Sequence, residues 1–145
     1  MALTNVILVA ANGWVDRAPE LQRRGRQKVL GYFKAWWRGV TYFHRDGHTY
    51  TVASVRPAKP LAVIDRILAS TIYNPGIDLE YEYVRGPTWT IDQLRAAIRR
   101  AIEQDDDVLT QFHEPGDLLD RLDRATTFEG VVAVLDLAAT PRDAA

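Results

Sequence analysis

The order in which the hydrophobic period changes over roughly the first 85 residues constrains this fold more than any other feature of the chain. Alternating or short continuous apolar runs predict four strands. Two stretches between them follow the 3.6-residue period of an amphipathic helix. The predicted strands cover residues 5–10, 39–44, 49–55 and 77–84, and the predicted helices cover residues 19–37 and 60–72. The chain therefore begins with the element order βαββαβ.

This element order predicts an α+β fold, because few compact topologies satisfy it. We expect residues 1–86 to form a ferredoxin-like, four-stranded antiparallel sheet with both helices on one face. The first strand is apolar on both faces over residues 6–9, so it should lie in the middle of the sheet. The length of 145 residues is that of one ordinary domain, and we predict a single domain over residues 1–145.

The dipeptide Asp46-Gly47 predicts a hairpin turn between the second and third strands. A two-residue turn is one alternative, and the other is a three-residue turn with Gly47 in the left-handed conformation, which pairs His44 with His48. We prefer the three-residue turn because it separates apolar from polar side chains better. It places Val40, Tyr42, Tyr50 and Val52 on one face and Thr41, Phe43, Thr49 and Thr51 on the other.

The last third of the chain predicts a helical extension over residues 87–140, followed by a frayed tail over residues 141–145. Thr90-x-x-Gln93 is a capping box that opens a helix. Thr126-x-x-Glu129 is a second capping box, which precedes the last apolar stretch. The apolar stripes of these helices need a surface to cover them, so we expect the extension to pack on the predicted unit.

Composition excludes several classes of protein. The chain contains no cysteine, which rules out disulfides, zinc–thiolate sites and thiol catalysis. Apolar runs stay below the ~18–20 residues of a membrane helix and no basic region precedes the first one, so we expect a cytoplasmic protein without membrane attachment. No Gly-rich phosphate loop, nucleophile elbow or zinc-hydrolase motif occurs. We therefore predict no cofactor and no metal site, and we assign no catalytic residue.

The best candidate site lies on the fourth predicted strand, where Asp78, Glu80 and Glu82 alternate with apolar residues. Carboxylates at this spacing point to the same side of a strand, about 7 Å apart. On the open face of the predicted sheet, with Phe43 nearby, they would form a docking surface for a basic protein partner. Trp37 is a further candidate contact, since exposed tryptophan is enriched at interfaces, although packing beneath the C-terminal helices is the usual explanation for such a residue. The alternative is an edge strand protected by solvated charges.

Charge is distributed unevenly along the chain. Residues 1–60 contain ten Lys/Arg and three Asp/Glu, whereas residues 61–145 contain eight and sixteen. The basic cluster of the first predicted helix consists of Arg23, Arg24, Arg26 and Lys28. Such a cluster can bind nucleic acid, although charge runs on helices are usually solvated faces. Binding of nucleic acid by the sheet is disfavoured, because the carboxylates of the fourth strand repel phosphate.

These features favour a non-enzymatic protein-binding module, such as a small inhibitor, an immunity-type protein or a regulatory protein. The expected partner is another protein. A small cofactor-independent enzyme is an alternative, in which two βαββαβ chains form a homodimeric α+β barrel and a histidine acts as general base. The pocket of that barrel would be lined by Trp36, Tyr42, His44, His48 or Tyr50. The second alternative is nucleic-acid binding through the basic face of the first helix.

Overall fold

A computed structural model describes residues 4–10, 13–28, 37–59, 76–104 and 109–141. These ranges contain six strands and three helices. The strands are β1 (Thr4–Val9), β2 (Val15–Glu20), β3 (Arg24–Lys28), β4 (Thr41–Phe43), β5 (His48–Pro57) and β6 (Gly76–Thr88). The helices are α1 (Ile91–Gln104), α2 (Pro115–Arg124) and α3 (Phe128–Ala138).

The strands form one six-stranded sheet in the order β2-β1-β4-β5-β6-β3. The pairs β1–β2, β1–β4 and β3–β6 are antiparallel. The predicted four-stranded ferredoxin-like sheet is therefore wrong, while the mixed α+β content agrees with the expectation. The predicted homodimeric barrel was derived from that four-stranded sheet, so it loses its structural premise.

The main error concerns the first predicted helix, residues 19–37. Its beginning is the end of β2, and residues 24–28 form β3. Residues 21–23 and 37 are not helical, whereas residues 29–36 and the second predicted helix, residues 60–72, lie outside the described residues. The physical reason for the two additional strands is pairing: β2 pairs with the apolar strand β1, and β3 pairs with β6. Long-range hydrogen bonds thus override a local helical spacing.

All four predicted strands are confirmed, as β1, β4, β5 and β6. The central position of β1 is also confirmed, since it lies between β2 and β4, and Val6 and Ile7 are fully buried. The strand β6 was open to interpretation as a sheet edge. It lies instead between β5 and β3, and β3 occupies the edge.

The three-residue hairpin turn is confirmed. Gly47 has a φ of +87°, the left-handed conformation that glycine adopts most easily. The backbone N–H of His44 donates to the carbonyl of His48 at 3.1 Å, which is the expected pairing. The predicted separation of faces is only partly right, because Tyr42 and Phe43 are both buried.

Contacts divide the chain into two compact units. Unit 1 comprises Met1–Leu21, Val40–Tyr50 and Gly86–Ala145, and unit 2 comprises Gln22–Gly39 and Thr51–Arg85. Unit 1 contains a hydrophobic core in which residues of β1, β2 and β4 are buried together with the three helices. The largest fully buried side chains of this core are Ile7, Leu94, Ile98, Leu118, Leu122 and Val131.

The helix starts follow local capping chemistry. At the start of α1 the backbone N–H of Thr90 donates to Gln93 Oε1 at 2.8 Å and that of Gln93 donates to Thr90 Oγ1 at 3.2 Å, which confirms the capping box. The cap of α3 is displaced by one residue from the prediction, since Thr127 rather than Thr126 accepts from the N–H of Gly130 at 3.0 Å. None of the helices in the described part of the chain is long and apolar enough to cross a membrane.

Candidate functional site

An extended polar arrangement among the described residues of unit 2 is a face of the sheet formed by β3, β6 and β5. It carries carboxylates on the middle strand and guanidinium groups on both neighbours. We call this the charged face and define it by Arg24, Arg26, Arg56, Asp78, Glu80 and Glu82. It unites the acidic row with two arginines of the basic cluster, which the sequence had placed on separate elements.

Strand register creates this arrangement. In the antiparallel pairing of β3 with β6, Arg24 lies opposite Glu80 and Arg26 lies opposite Asp78. Alternate residues of a strand point to the same side, so both pairs share one face with Glu82. On the other flank, Arg56 of β5 contacts both Glu80 and Glu82. Opposite charges directly across neighbouring strands are a recognised source of sheet stabilisation.

The ion pairs of the charged face are long. The Arg26 Nη1–Asp78 Oδ1 distance is 3.3 Å, and the Arg24 Nη2–Glu80 Oε1 distance is 3.8 Å. The guanidinium of Arg56 lies 3.8 Å from Glu80 Oε2 and 3.6 Å from Glu82 Oε1. Because the side chains are exposed, water screens each pair, and such pairs contribute about 0–1 kcal/mol to stability. The charged groups can therefore exchange their partners at low cost.

The opposite face of β6 is apolar and aromatic. Leu79 is fully buried, and the rings of Tyr81 and Tyr83 stack with centroids 6.4 Å apart. Gly25 lies beneath Tyr81, because a Cβ at that position would come within 2.9 Å of the ring. Burial raises the pKa of Tyr81 above its ordinary value, and the hydroxyl of Tyr83 donates to the Gln22 carbonyl at 2.7 Å. These contacts hold β3 against β6 and so fix the positions of the arginines.

A second polar cluster lies in the β4–β5 hairpin of unit 1. Asp46 accepts from the Tyr50 hydroxyl at 2.6 Å and from the His48 backbone N–H at 2.9 Å, and its Oδ1 lies 3.0 Å from Nδ1 of His44. Burial acts to raise the pKa of Asp46, but the hydrogen bonds from Tyr50, the His48 backbone and His44 outweigh it and lower the pKa to about 2. Asp46 is therefore ionised at neutral pH.

This hairpin cluster contains three of the residues proposed for an enzyme pocket. The His44 ring meets Tyr50 edge-on at 5.6 Å, and Nδ1 of His48 lies 3.2 Å from the Gly86 carbonyl. His44 is only 6% exposed, and its carbonyl accepts from the Trp89 indole N–H at 2.7 Å. The cluster therefore braces the turn against the core. Tyr42 is buried, and Trp36 lies outside the described residues.

Two predicted contact residues lie elsewhere than on an open face. Phe43 is buried in the core of unit 1, and its ring packs edge-on against Trp89 with centroids 6.1 Å apart. Its placement on an open sheet face was therefore wrong, because that face of β4 is covered in unit 1. Trp37 is half-buried in a turn. Of the remaining basic cluster, Arg23 is exposed and Lys28 ends β3 rather than lying on a helix.

Arg56 of the charged face and Ser54 beside it were not predicted from the sequence. Ser54 Oγ donates to Glu82 Oε2 at 3.2 Å, next to the contacts of Arg56. Their two-residue spacing in β5 puts them on one face, which was the available signal. A single serine and a single arginine do not stand out without knowledge of the neighbouring strand.

Among the described residues, no group of three or more His, Asp or Glu side chains is arranged to hold a metal ion. Comparison with known proteins gives no family: no protein-family model, no curated protein and no solved structure matches the chain.

Proposed function

We propose that this protein is a protein-binding module, of the inhibitor, immunity-type or regulatory kind, and that it engages another protein through the charged face. The observation that carries the proposal is the row of three carboxylates on β6 with exposed arginines on both neighbouring strands. An enzyme of the homodimeric barrel type is the lesser alternative, because the described strands form a six-stranded sheet and that barrel was inferred from a four-stranded one.

Exposed and loosely held ion pairs suit recognition. Breaking an internal pair such as Arg24–Glu80 at 3.8 Å costs little, because water already screens it. The same groups gain more when a partner excludes water and supplies a charge with good geometry. Complementary charge also accelerates the encounter of two proteins. The ion pairs within the charged face therefore break at a low cost in free energy, and the face still presents a specific pattern of charges to a partner.

The pattern favours a partner of mixed charge. A uniformly basic surface would meet the arginines of β3 and β5, and a polyanion such as nucleic acid would meet the three carboxylates of β6. Like charges brought together at an interface cost several kcal/mol, so both uniform surfaces are rejected. A protein surface with alternating acidic and basic side chains satisfies all three strands. Nucleic-acid binding is accordingly the lesser candidate.

The test is capture of a partner from the native host by charge-reversed variants. Glu80→Lys/Glu82→Lys should abolish capture of a partner that the unchanged protein captures, because five arginine or lysine charges then meet on one face. The matched control is Glu114→Lys/Asp120→Lys, which makes the same change in net charge at two exposed positions near and on α2. Circular dichroism establishes that both variants are folded. Equal capture by both variants would contradict the proposal.

Salt dependence separates the lesser candidate from the proposal. Binding of nucleic acid weakens steeply with salt, in proportion to the number of phosphates contacted. A mobility shift that is strong at low salt and that disappears with Arg24→Glu/Arg26→Glu would favour nucleic acid. Retention of the protein partner at moderate salt, without any mobility shift, supports the protein-binding module.

A further inference from the structure

We infer that the outer edge of β3, the side turned away from β6, binds an extended acidic segment of the partner by strand addition. This inference rests on the proposed function and specifies how the partner is held. It concerns the backbone of β3, whereas the charged face concerns side chains. The occupant is an extended peptide segment with acidic residues at every second position.

The position of β3 in the sheet provides the first argument. In the described ranges β3 ends the sheet order, with β6 as its hydrogen-bonded neighbour. A terminal strand presents a row of backbone N–H and C=O groups on its second side. Such rows are the binding sites that proteins use when an extended peptide joins a sheet.

The alternation of hydrogen bonds along β3 shows which of its residues direct their backbone N–H and C=O groups away from β6. The backbone N–H of Tyr81 donates to the Arg23 carbonyl at 2.8 Å, in continuation of the β3–β6 register. In an antiparallel pair, residues alternate between exchanging hydrogen bonds with the neighbour and pointing these groups away from it. Gly25, opposite Leu79, therefore bonds to β6. The backbone groups of Arg24 and Arg26 point to the outer edge.

Two of the three arginines of the charged face thus also direct their backbone groups to the outer edge. Their side chains are 85% and 67% exposed. A strand added at the outer edge places alternate side chains directly beside Arg24 and Arg26, about 7 Å apart. Acidic residues at those positions would pair with both arginines while their backbones bond to β3.

The protein already contains an example of this pairing. On the inner side, β6 presents Asp78 and Glu80 to Arg26 and Arg24 at the same two-residue spacing. The outer edge offers the same basic residues to a second acidic strand. The recognition chemistry of the partner is therefore an acid-x-acid sequence in extended conformation.

Charge also argues against a second copy of this chain as the occupant. An antiparallel β3–β3 pair would bring arginines of the two copies together, and like charges opposite each other destabilise a sheet. Charged edge residues are a general protection against self-association of strands. Here Arg24 and Arg26 repel β3 of a second copy and attract an acidic strand. Repulsion and attraction thus both contribute to specificity.

The experiment uses the full chain and a fluorescein-labelled peptide of alternating Val and Glu, with binding measured by anisotropy. A peptide of alternating Val and Lys is the charge control and should not bind. N-methylation of the Glu amides, which would face β3, should weaken binding by at least about tenfold through lost backbone hydrogen bonds. N-methylation of the Val amides, which face away, should change binding by less than about twofold.

Two protein variants test the same point from the other side. Arg26→Ala removes only the charged side chain. Arg26→Pro also removes the backbone N–H that points to the outer edge, and a proline there does not disturb the hydrogen bonds between β3 and β6. Arg26→Pro should bind the Val-Glu peptide more weakly than Arg26→Ala. Equal binding by the two variants, or equal binding of the two methylated peptides, would overturn strand addition. The methylated peptides decide the matter if Arg26→Pro does not fold.

This experiment fails separately from the test of the proposed function. If the Val-Glu peptide does not bind but Glu80→Lys/Glu82→Lys still abolishes partner capture, strand addition is overturned and the protein-binding module stands. If the peptide binds as expected and charge reversal has no effect on capture, strand addition is supported and the charged face is not the main contact.

Discussion

The hairpin cluster of unit 1 and the charged face of unit 2 use similar side chains for different ends. In the hairpin, Asp46 has hydrogen bonds of 2.6 and 2.9 Å beside the buried ring of His44. On the charged face, the carboxylates of Asp78 and Glu80 lie 3.3 and 3.8 Å from exposed arginines. Several short hydrogen bonds that converge on one group hold a structure together, whereas long contacts between exposed groups remain available to a partner.

One ion pair of unit 1 supports this distinction. Arg17 on β2 makes two contacts with Asp136 on α3, at 2.7 and 2.9 Å, and its Nη2 lies 3.3 Å from Asn5 Oδ1. Both contacts come from Nη1 of Arg17, so one guanidinium nitrogen reaches both carboxylate oxygens at the short distances typical of charge-assisted hydrogen bonds. It ties a strand to a helix far away in sequence. No pair of the charged face has such geometry.

The largest expected effect on the free energy of unfolding comes from a substitution in the core of unit 1, and a substitution on the surface of β6 is its control. Leu122→Ala removes a fully buried side chain and should lower the free energy of unfolding by about 3 kcal/mol, through lost burial and the cavity left behind. Val84→Ala, at a position that is 48% exposed, should change it by less than about 0.5 kcal/mol. Urea denaturation measures both. Similar losses of unfolding free energy in the two variants would contradict the contrast between the buried core of unit 1 and the exposed surface of β6.

A pair of tyrosine substitutions sharpens the comparison through pH. Tyr50→Phe and Tyr83→Phe should each cost about 1 kcal/mol at pH 7, since each removes one hydrogen bond. The pKa of Asp46 is lowered from 3.8 to about 2, so its stabilising contribution is present above pH 3.8 and is lost as the pH falls through about 2.

The cost of Tyr50→Phe should therefore shrink between pH 4 and pH 2, because the variant has already lost part of that contribution. The cost of Tyr83→Phe should stay constant, since its hydroxyl donates to a backbone carbonyl that does not titrate. Urea denaturation at several pH values checks both. A constant cost for Tyr50→Phe would show that the Tyr50–Asp46 bond does not set the pKa of Asp46.

The cap of α3 gives a third effect, which is specific to one residue. Thr127→Ala should destabilise the protein by about 1 kcal/mol, because the N–H of Gly130 loses its acceptor. Thr126→Ala is the matched control and should have almost no effect, since Thr126 is exposed and lies outside the cap. Thermal melts of the two variants distinguish the observed cap from the predicted one. The prediction is contradicted if Thr126→Ala is the more harmful change.

The smallest effects are expected on the charged face. Arg24→Ala should change the free energy of unfolding by less than about 0.5 kcal/mol, because its ion pair with Glu80 is long and exposed. Asp136→Ala in unit 1 should cost more, about 1 kcal/mol, because both of its carboxylate oxygens accept short hydrogen bonds from Nη1 of Arg17. Chemical denaturation again provides the comparison. A large loss for Arg24→Ala would mean that the charged face serves stability rather than recognition.

Four strands, one hairpin turn and the start of α1 were predictable because each depends on residues close in sequence. The alternation of apolar and charged residues marks β6, and Gly47 marks the turn. By contrast, β2 and β3 have the sequences VDRAPE and RGRQK, which lack apolar alternation. The spacing of Ala18, Leu21 and Gly25 matches the period of a helix, which explains the wrong prediction. These segments are strands because β2 pairs with β1 and β3 pairs with β6.

The candidate site was half predictable for the same reason. The row Asp78, Glu80 and Glu82 follows from strand periodicity alone, and the arginine cluster is visible as a run of charge. Their union depends on a register that brings Arg26 within 3.3 Å of Asp78, which lies 52 positions further along the chain. The burial of Phe43 likewise depends on residues of unit 1 that are distant in sequence, such as Trp89.

The sequence by itself determined which segments are strands by periodicity, where the left-handed turn falls, and where a capped helix begins. These properties arise from hydrogen bonds and side-chain spacing within a few residues. Only the tertiary structure decided that two polar segments are strands, that acidic and basic rows share one face, and that the backbone of Arg24 and Arg26 points outward. Those properties depend on pairing between distant segments, and the register of such pairing is set by the whole sheet.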